Sequence, residues 1–153
     1  MKLSTKGRYG LRALIDLAVH QGEDAISLQS IAERQFISES YLEQLMRLLK
    51  KADLVTSVRG AGGGYRLARP AEEISVGEIL RALEGDLNAV SCSAFGEDSP
   101  CEGADACVTK HVWKRINDAI SQTVDAIMLS ELVSDSRAVM EKNGTGQQAI
   151  CER

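Results

Sequence analysis

The sequence predicts a mainly α-helical chain with one small β-hairpin and a long helix toward its C-terminus. Three observations carry that expectation. Apolar residues recur at helical spacing through the first fifty residues; two short β-rich runs flank a glycine cluster at 55–70; and a long amphipathic stretch follows residue 108. A chain of 153 residues holds one ordinary core, so one domain with an appended element is expected.

The elements follow in order. Ser4 or Thr5 caps a first helix in which Tyr9, Ala13, Leu14, Leu17 and Ala18 share a face, and Gly22 stops it. Ser27 caps a second, short helix over 27–36, with Leu28, Ile31 and Ala32 inward. Ile37 and Ser38 make the break, and Ser38 opens the third helix. In that helix Tyr41, Leu42, Leu45, Leu48 and Leu49 form the buried stripe. Ser40, Glu43, Gln44 and Arg47 lie opposite, on a short, polar, hydrogen-bonding face that ends at Lys50 and Lys51.

Residues 55–70 then read as a hairpin, Val55, Val58, Tyr65 and Leu67 flanking Gly60, Gly62, Gly63 and Gly64. No Gly-Lys-Ser/Thr follows and the loop leads into a strand, which argues against a nucleotide-binding P-loop. A hairpin behind a helix-turn-helix is a wing. Arg59 at its tip, with Arg66 and Arg69 on the return strand, supplies cations for DNA backbone or minor groove. Ser75 to Glu78 is a capping box opening a fourth helix through Leu83, and Gly85 ends it.

From Val108 to about Val133 the periodicity predicts one long helix, with Val112, Ile116, Ile120, Val124, Ile127 and Met128 on one side and Trp113, Ala119 and Thr123 widening the stripe. So small a domain has little core to spare for such a face. A matching helix of a second subunit would cover it, so a homodimer is expected. The tail from Glu141 has turn and polar residues and no period, and is expected to be mobile.

Charge is divided along the chain. The net charge is −4, but residues 1–70 carry eleven Lys and Arg against seven Asp and Glu, whereas residues 71–153 carry seven against fifteen. A basic front half suits contact with phosphate. The chain opens without an apolar leader and holds no run long enough to span a membrane, so a cytoplasmic protein with reduced thiols is expected and no membrane partner.

In that setting the stretch CSAFGEDSPCEGADACVTKH, residues 92–111, stands out. The spacing C-x8-C-x5-C-x3-H puts Cys92 and Cys101 in a loop with Gly96, Pro100 and Gly103, and Cys107 near the start of the long helix, where Cys107 and His111 would share a face if helix has begun. Three soft thiolates and one imidazole suit an iron-sulfur cluster or Zn2+, and spacing alone leaves both open. Cys151 reads as a surface thiol and His20 as a C-terminal cap residue. Two histidines and no serine-histidine-acid pattern leave little for an enzyme.

MKLSTKGRYGL, ISESYLEQLMRLLKKADLV, SVRGAGGGYRLARP and ISVGEILRALEG closely resemble the N-terminal region of the bacterial winged-helix regulators that include IscR, NsrR and CymR, and the cysteine cluster before a long helix resembles the IscR branch. The resemblance implies a winged helix-turn-helix domain over 1–85, a cluster-binding loop over 86–107, a dimerisation helix region over 108–140 and a tail over 141–153. It implies a homodimeric repressor and activator that binds an operator in double-stranded DNA and senses a [2Fe-2S] cluster, with [4Fe-4S] and Zn2+ as alternatives and nitric-oxide, redox or cysteine-supply sensing as the competing function. The DNA-facing candidates it points to are Ser38, Ser40, Tyr41, Glu43, Gln44, Arg47, Arg59 and Gly60, with Glu43 discriminating between operator classes. The metal candidates are Cys92, Cys101, Cys107 and His111. At this site the sequence departs from the branch, whose histidine follows the third cysteine as C-x-x-H and whose first two cysteines are closer. Lys110 stands in the histidine's place, so the fourth ligand falls to His111, to Glu102 or Asp105, or to an acidic residue of the other subunit.

Overall fold

The computed structural model describes residues 3–92, 95 and 100–144. The described chain is mainly helical, with a two-stranded antiparallel sheet: α1 (Thr5–His20), α2 (Leu28–Gln35), α3 (Glu39–Lys51), β1 (Val55–Val58), β2 (Gly64–Leu67), a 3-10 turn (Ala71–Glu73), α4 (Val76–Glu84), α5 (Thr109–Ala126) and α6 (Leu129–Asn143).

The caps form much as the sequence predicts. Ser4 Oγ accepts from Lys6 N at 3.0 Å and Ser27 Oγ from Ser30 N at 3.1 Å. Ser75 and Glu78 close their box reciprocally, Ser75 N to Glu78 Oε2 at 2.9 Å and Glu78 N to Ser75 Oγ at 3.2 Å. Ser38 stands at the N-cap of α3, but its hydroxyl makes no capping bond. Between α2 and α3 the turn is set by Phe36, which takes a left-handed φ of 54° and lets Ile37 N donate back to Ala32 O at 3.0 Å.

The core gathers Leu14, Leu17, Ile31, Leu42, Leu45, Met46, Leu49, Leu54, Ile74 and Ile79, and α6 adds Leu129 and Val133. Truncating any one of these to Ala would cost about 2–5 kcal/mol. The third helix has the predicted two faces, with Met46 also inside and Tyr41 and Leu48 only half-buried. The helices close on one another through small residues. A Cβ on Gly10 would lie 2.4 Å from Leu83 Cδ1, so α1 and α4 touch only because that position is bare.

The wing is broader than its two strands. Val55 pairs with Leu67 and Val58 with Gly64, and on the other edge of β2 Tyr65 exchanges both backbone bonds with Ile26, at 2.8 and 2.9 Å. The hairpin is thereby fixed to the segment before α2.

The expected single helix from Val108 to Val133 is divided. It runs to Ala126, breaks at Ile127 and Met128, and resumes as α6 through Asn143, three residues into the tail expected to begin at Glu141. The cause is a long-range pairing: Val76 N donates to Ile127 O at 2.9 Å and Leu129 N to Ile74 O at 2.8 Å, which hold both break residues extended. The apolar stripe divides too. Ile120, Val124 and Ile127 pack on Val76, Leu80 and Leu87 of the same chain, whereas Val108, Val112 and Ile116 remain 78, 49 and 39 % exposed. The C-terminal half of the stripe is thus covered within the chain, and only its N-terminal half is left exposed. Gly96 and the tail from residue 145, with Cys151, lie outside the described residues.

Candidate functional site

The first candidate surface is built on α3. Ser40, Gln44 and Arg47 are exposed on its outer face, and Ser38 is exposed at its start. Glu43, half-buried, accepts from Arg47 Nη2 at 2.7 Å one turn on. This exposed i, i+4 pair contributes only about 0.3–0.5 kcal/mol, so a stronger partner can displace it.

Tyr41 is half-buried and not simply a reading residue. Its ring meets Tyr9 edge-on, with centroids 6.2 Å apart, and its hydroxyl donates to Thr5 Oγ1 at 3.2 Å. Arg12 lies 5.6 Å over the Tyr9 ring and bonds Gln35. The first turn of α1, with Thr5, is thus set beside the start of α3, a juxtaposition that no spacing in the sequence announces.

At the wing, Arg59 and Gly60 are exposed at the tip, where Gly60 takes φ +104° and Gly63 N closes the turn on Gly60 O at 2.9 Å. The two return-strand arginines are not spare cations. Arg66 donates through Nη2 to Glu23 O, and Arg69 bonds Glu78 Oε1 at 2.8 Å and Glu73 O at 3.0 Å. Each helps tie the hairpin to the body, so a contact of either with DNA would have to compete with these bonds. Lys50, at the end of α3, donates to Ser57 Oγ on β1 at 2.5 Å and links α3 to the hairpin.

The second candidate surface is the cysteine loop. Cys92, Cys101 and Cys107 are half-buried thiols. Cys107 Sγ lies 3.2 Å from Thr109 Oγ1, and that hydroxyl, then the Lys110 N–H, hold its pKa below the ordinary thiol value against slight burial, with the Lys110 charge adding to the effect. A thiolate is the form a metal takes. The donor set therefore fits a thiophilic metal or cluster by its chemistry, although among the described residues no three His, Cys, Asp or Glu side chains are gathered closely enough to hold an ion. His111 is exposed in the first turn of α5. Since α5 starts at Thr109, Cys107 precedes it and does not share a helix face with His111 as an i, i+4 pair. Lys110 is engaged with the loop, its Nζ donating to Ala104 O.

Asn117 makes a contact the sequence did not reveal. It is the one buried residue of α5, and its side chain bonds the backbone at Ala89 and Val90, where the cysteine loop begins.

Comparison with known proteins agrees with this architecture. The chain is 42 % identical over 139 residues to the HTH-type transcriptional regulator IscR of Vibrio parahaemolyticus, covering 91 % of this chain and 81 % of that one. It is 45 % identical over 136 residues to the IscR of Aliivibrio salmonicida, covering 89 % and 79 %. Among solved structures it resembles CymR, the global cysteine regulator of B. subtilis, at 44 % identity and a TM-score of 0.72 over 88 % of this chain and 98 % of that one. T. potens IscR is likewise 44 % identical, with a TM-score of 0.71 over 99 % and 94 %. These relatives are transcriptional regulators, not enzymes, and no described helix is long and apolar enough to cross a membrane. The Rrf2 family model, described as an iron-dependent transcriptional regulator, matches residues 3–135, and the chain belongs to that family.

Proposed function

We propose that this protein is a homodimeric regulator whose choice of DNA operator depends on an iron-sulfur cluster, of the [2Fe-2S] type, held by Cys92, Cys101 and Cys107. The observation that carries the reading is one chain that joins an exposed polar helix face and an arginine-tipped wing to a loop of three thiols. Ser38, Ser40, Gln44 and Arg47 would meet base edges and phosphates in the major groove, and Arg59 with Gly60 the neighbouring backbone or minor groove. The exposed Val108, Val112 and Ile116 would pack on their counterparts in the second subunit.

Cys92, Cys101 and Cys107 would hold the cluster, which would supply a signal of iron and sulfide supply. His111 or an acidic residue, from this subunit or the other, completes the ligand set. Glu43 sets selectivity. Its carboxylate accepts from cytosine N4 but is repelled by the acceptors of guanine and by phosphate. The Arg47 bond is weak enough to give way, so DNA that draws Arg47 off releases the Glu43 carboxylate to face the bases.

Duplexes selected from a random library by the iron-loaded and the iron-free protein define the operator classes. Glu43→Ala in the iron-free state should then gain binding to the class the wild type refuses, with the other class unchanged, because the substitution removes a repulsive element and adds no contact. Loss of binding to both classes would make Glu43 an ordinary contact. Failure to enrich any sequence would overturn the regulator reading.

A further inference from the structure

We propose that Asn117 is a positioning residue that anchors the departing limb of the cysteine loop to α5 and, with Lys110, fixes where along that helix the thiols can converge. The inference rests on the cysteine-loop reading above and goes beyond it by naming what ties the loop to the helix.

Asn117 is 7 % exposed on an otherwise exposed or half-buried helix. A buried carboxamide is costly unless its donors and acceptor are used. Here they are used on one segment: Oδ1 accepts from Ala89 N at 2.9 Å and Val90 N at 3.4 Å, and Nδ2 donates to Val90 O at 3.0 Å. Just before it, Leu87 is buried against Val76 and Leu80. Beyond Val90 the next residue is exposed, and Cys92 follows it. Asn117 is therefore the last strong fixing point before the first thiol.

The returning limb is fixed as well. Lys110 Nζ donates to the carbonyl of buried Ala104, and Ala104 N to Cys101 O at 3.0 Å. Lys110 and Asn117 are seven residues apart, on the same side of α5 and two turns apart, which is about 10 Å of helix. The loop is thus stapled at both limbs to one helical face, while the neighbouring Val112 and Ile116 are left exposed for a partner. A change in the loop that alters the strain on these staples acts directly on α5.

The test uses the full-length protein carrying Asn117→Leu or Asn117→Asp, beside wild type. Leu removes all three bonds, and Asp keeps the acceptor but loses the donor to Val90 O. In the iron-free protein, alkylation of Cys92 by iodoacetamide should be several-fold faster in Asn117→Leu, with less change at Cys107, which has its own partner in Thr109. In anaerobically reconstituted protein, loss of visible absorbance to a chelator should be roughly tenfold faster, the scale on which outer-shell partners act. Asn117→Asp should lie between. Thermal unfolding of the iron-free variants separates positioning from general destabilisation, since a merely structural role would lower the midpoint and speed alkylation of every thiol alike. Unchanged Cys92 alkylation, or uniform acceleration at all thiols, would overturn the proposal. Should wild type take up no iron and sulfide, the cluster reading fails by itself, and the alkylation arm still decides whether Asn117 anchors the loop.

Discussion

At the scale of single residues, two carboxylates far apart in role share one device. Glu84, the last residue of α4, accepts from Ser4 N and Oγ at 2.8 Å and from Gly7 N at 2.9 Å, so it caps α1 across nearly eighty residues of chain. Burial pushes its carboxyl up, but these bonds and the charge of Lys6 outweigh burial and leave the pKa lowered. Glu78 is lowered chiefly by the Ser75 backbone, against burial, with Arg69 adding to it. A group whose folded pKa is depressed contributes stability above its ordinary value, 4.5 here, and loses it as pH falls through the folded value. Glu84→Gln should therefore lower stability at neutral pH by about 1 kcal/mol, the scale of a helix cap, and flatten the acid limb of a denaturation profile below pH 4.5. An unchanged acid limb would show that this cap is not coupled to folding. Of these two, only Glu78 was legible beforehand, because a capping box is local. The Glu84 bonds depend on α1 and α4 having already met, and Gly7, whose Cβ would stand 2.5 Å from Glu84 Oε1, reads in isolation as a weak spot in a helix.

At the scale of elements, the α1 to α4 order, the outer face of α3 and the hairpin could be read from periodicity and glycine placement, since these are short-range properties. The division of the C-terminal helix could not. Apolar residues continue at helical spacing through Ile127 and Met128, and only pairing with Ile74 to Val76 breaks the helix there. The same holds for Arg66 and Arg69, whose charge suggested DNA and whose partners Glu23 and Glu78 come from other elements. The wing's attachment gives a clear prediction. Gly64 has φ +155°, and a Cβ there would lie 2.1 Å from Ile26 O. Gly64→Ala should cost about 1–3 kcal/mol and loosen the Tyr65 to Ile26 bridge, measurable as faster amide exchange at both residues. Its DNA affinity should fall, and exchange at Ile26 and Tyr65 should rise by more than the general loss of stability adds at core amides. Full protection at Ile26 and Tyr65 would contradict the close-approach argument.

At the scale of the whole molecule, the two halves are joined by short connections. Arg81 of α4 clasps Asp125 of α5 through two bonds of 2.5 and 2.9 Å, and Gly77 leaves room for that carboxylate. Contacts thus run without a gap from α5 to α4 and, through Glu84, to the start of α1. If the exposed half of the α5 stripe is the subunit interface, Val112→Glu should give a monomer by sedimentation while leaving the helical circular dichroism intact, and should weaken DNA binding by loss of the second half-site. A stable dimer of Val112→Glu would move the interface elsewhere. Whether the three thiols hold an iron-sulfur cluster is read from iron, acid-labile sulfide and zinc counted per chain, with the visible spectrum, on anaerobically purified protein. About two irons and two sulfides per chain, as a [2Fe-2S] centre requires, are expected in wild type and in Cys151→Ala, and none in Cys92→Ala, Cys101→Ala or Cys107→Ala. A colourless protein with one zinc per chain would contradict the account.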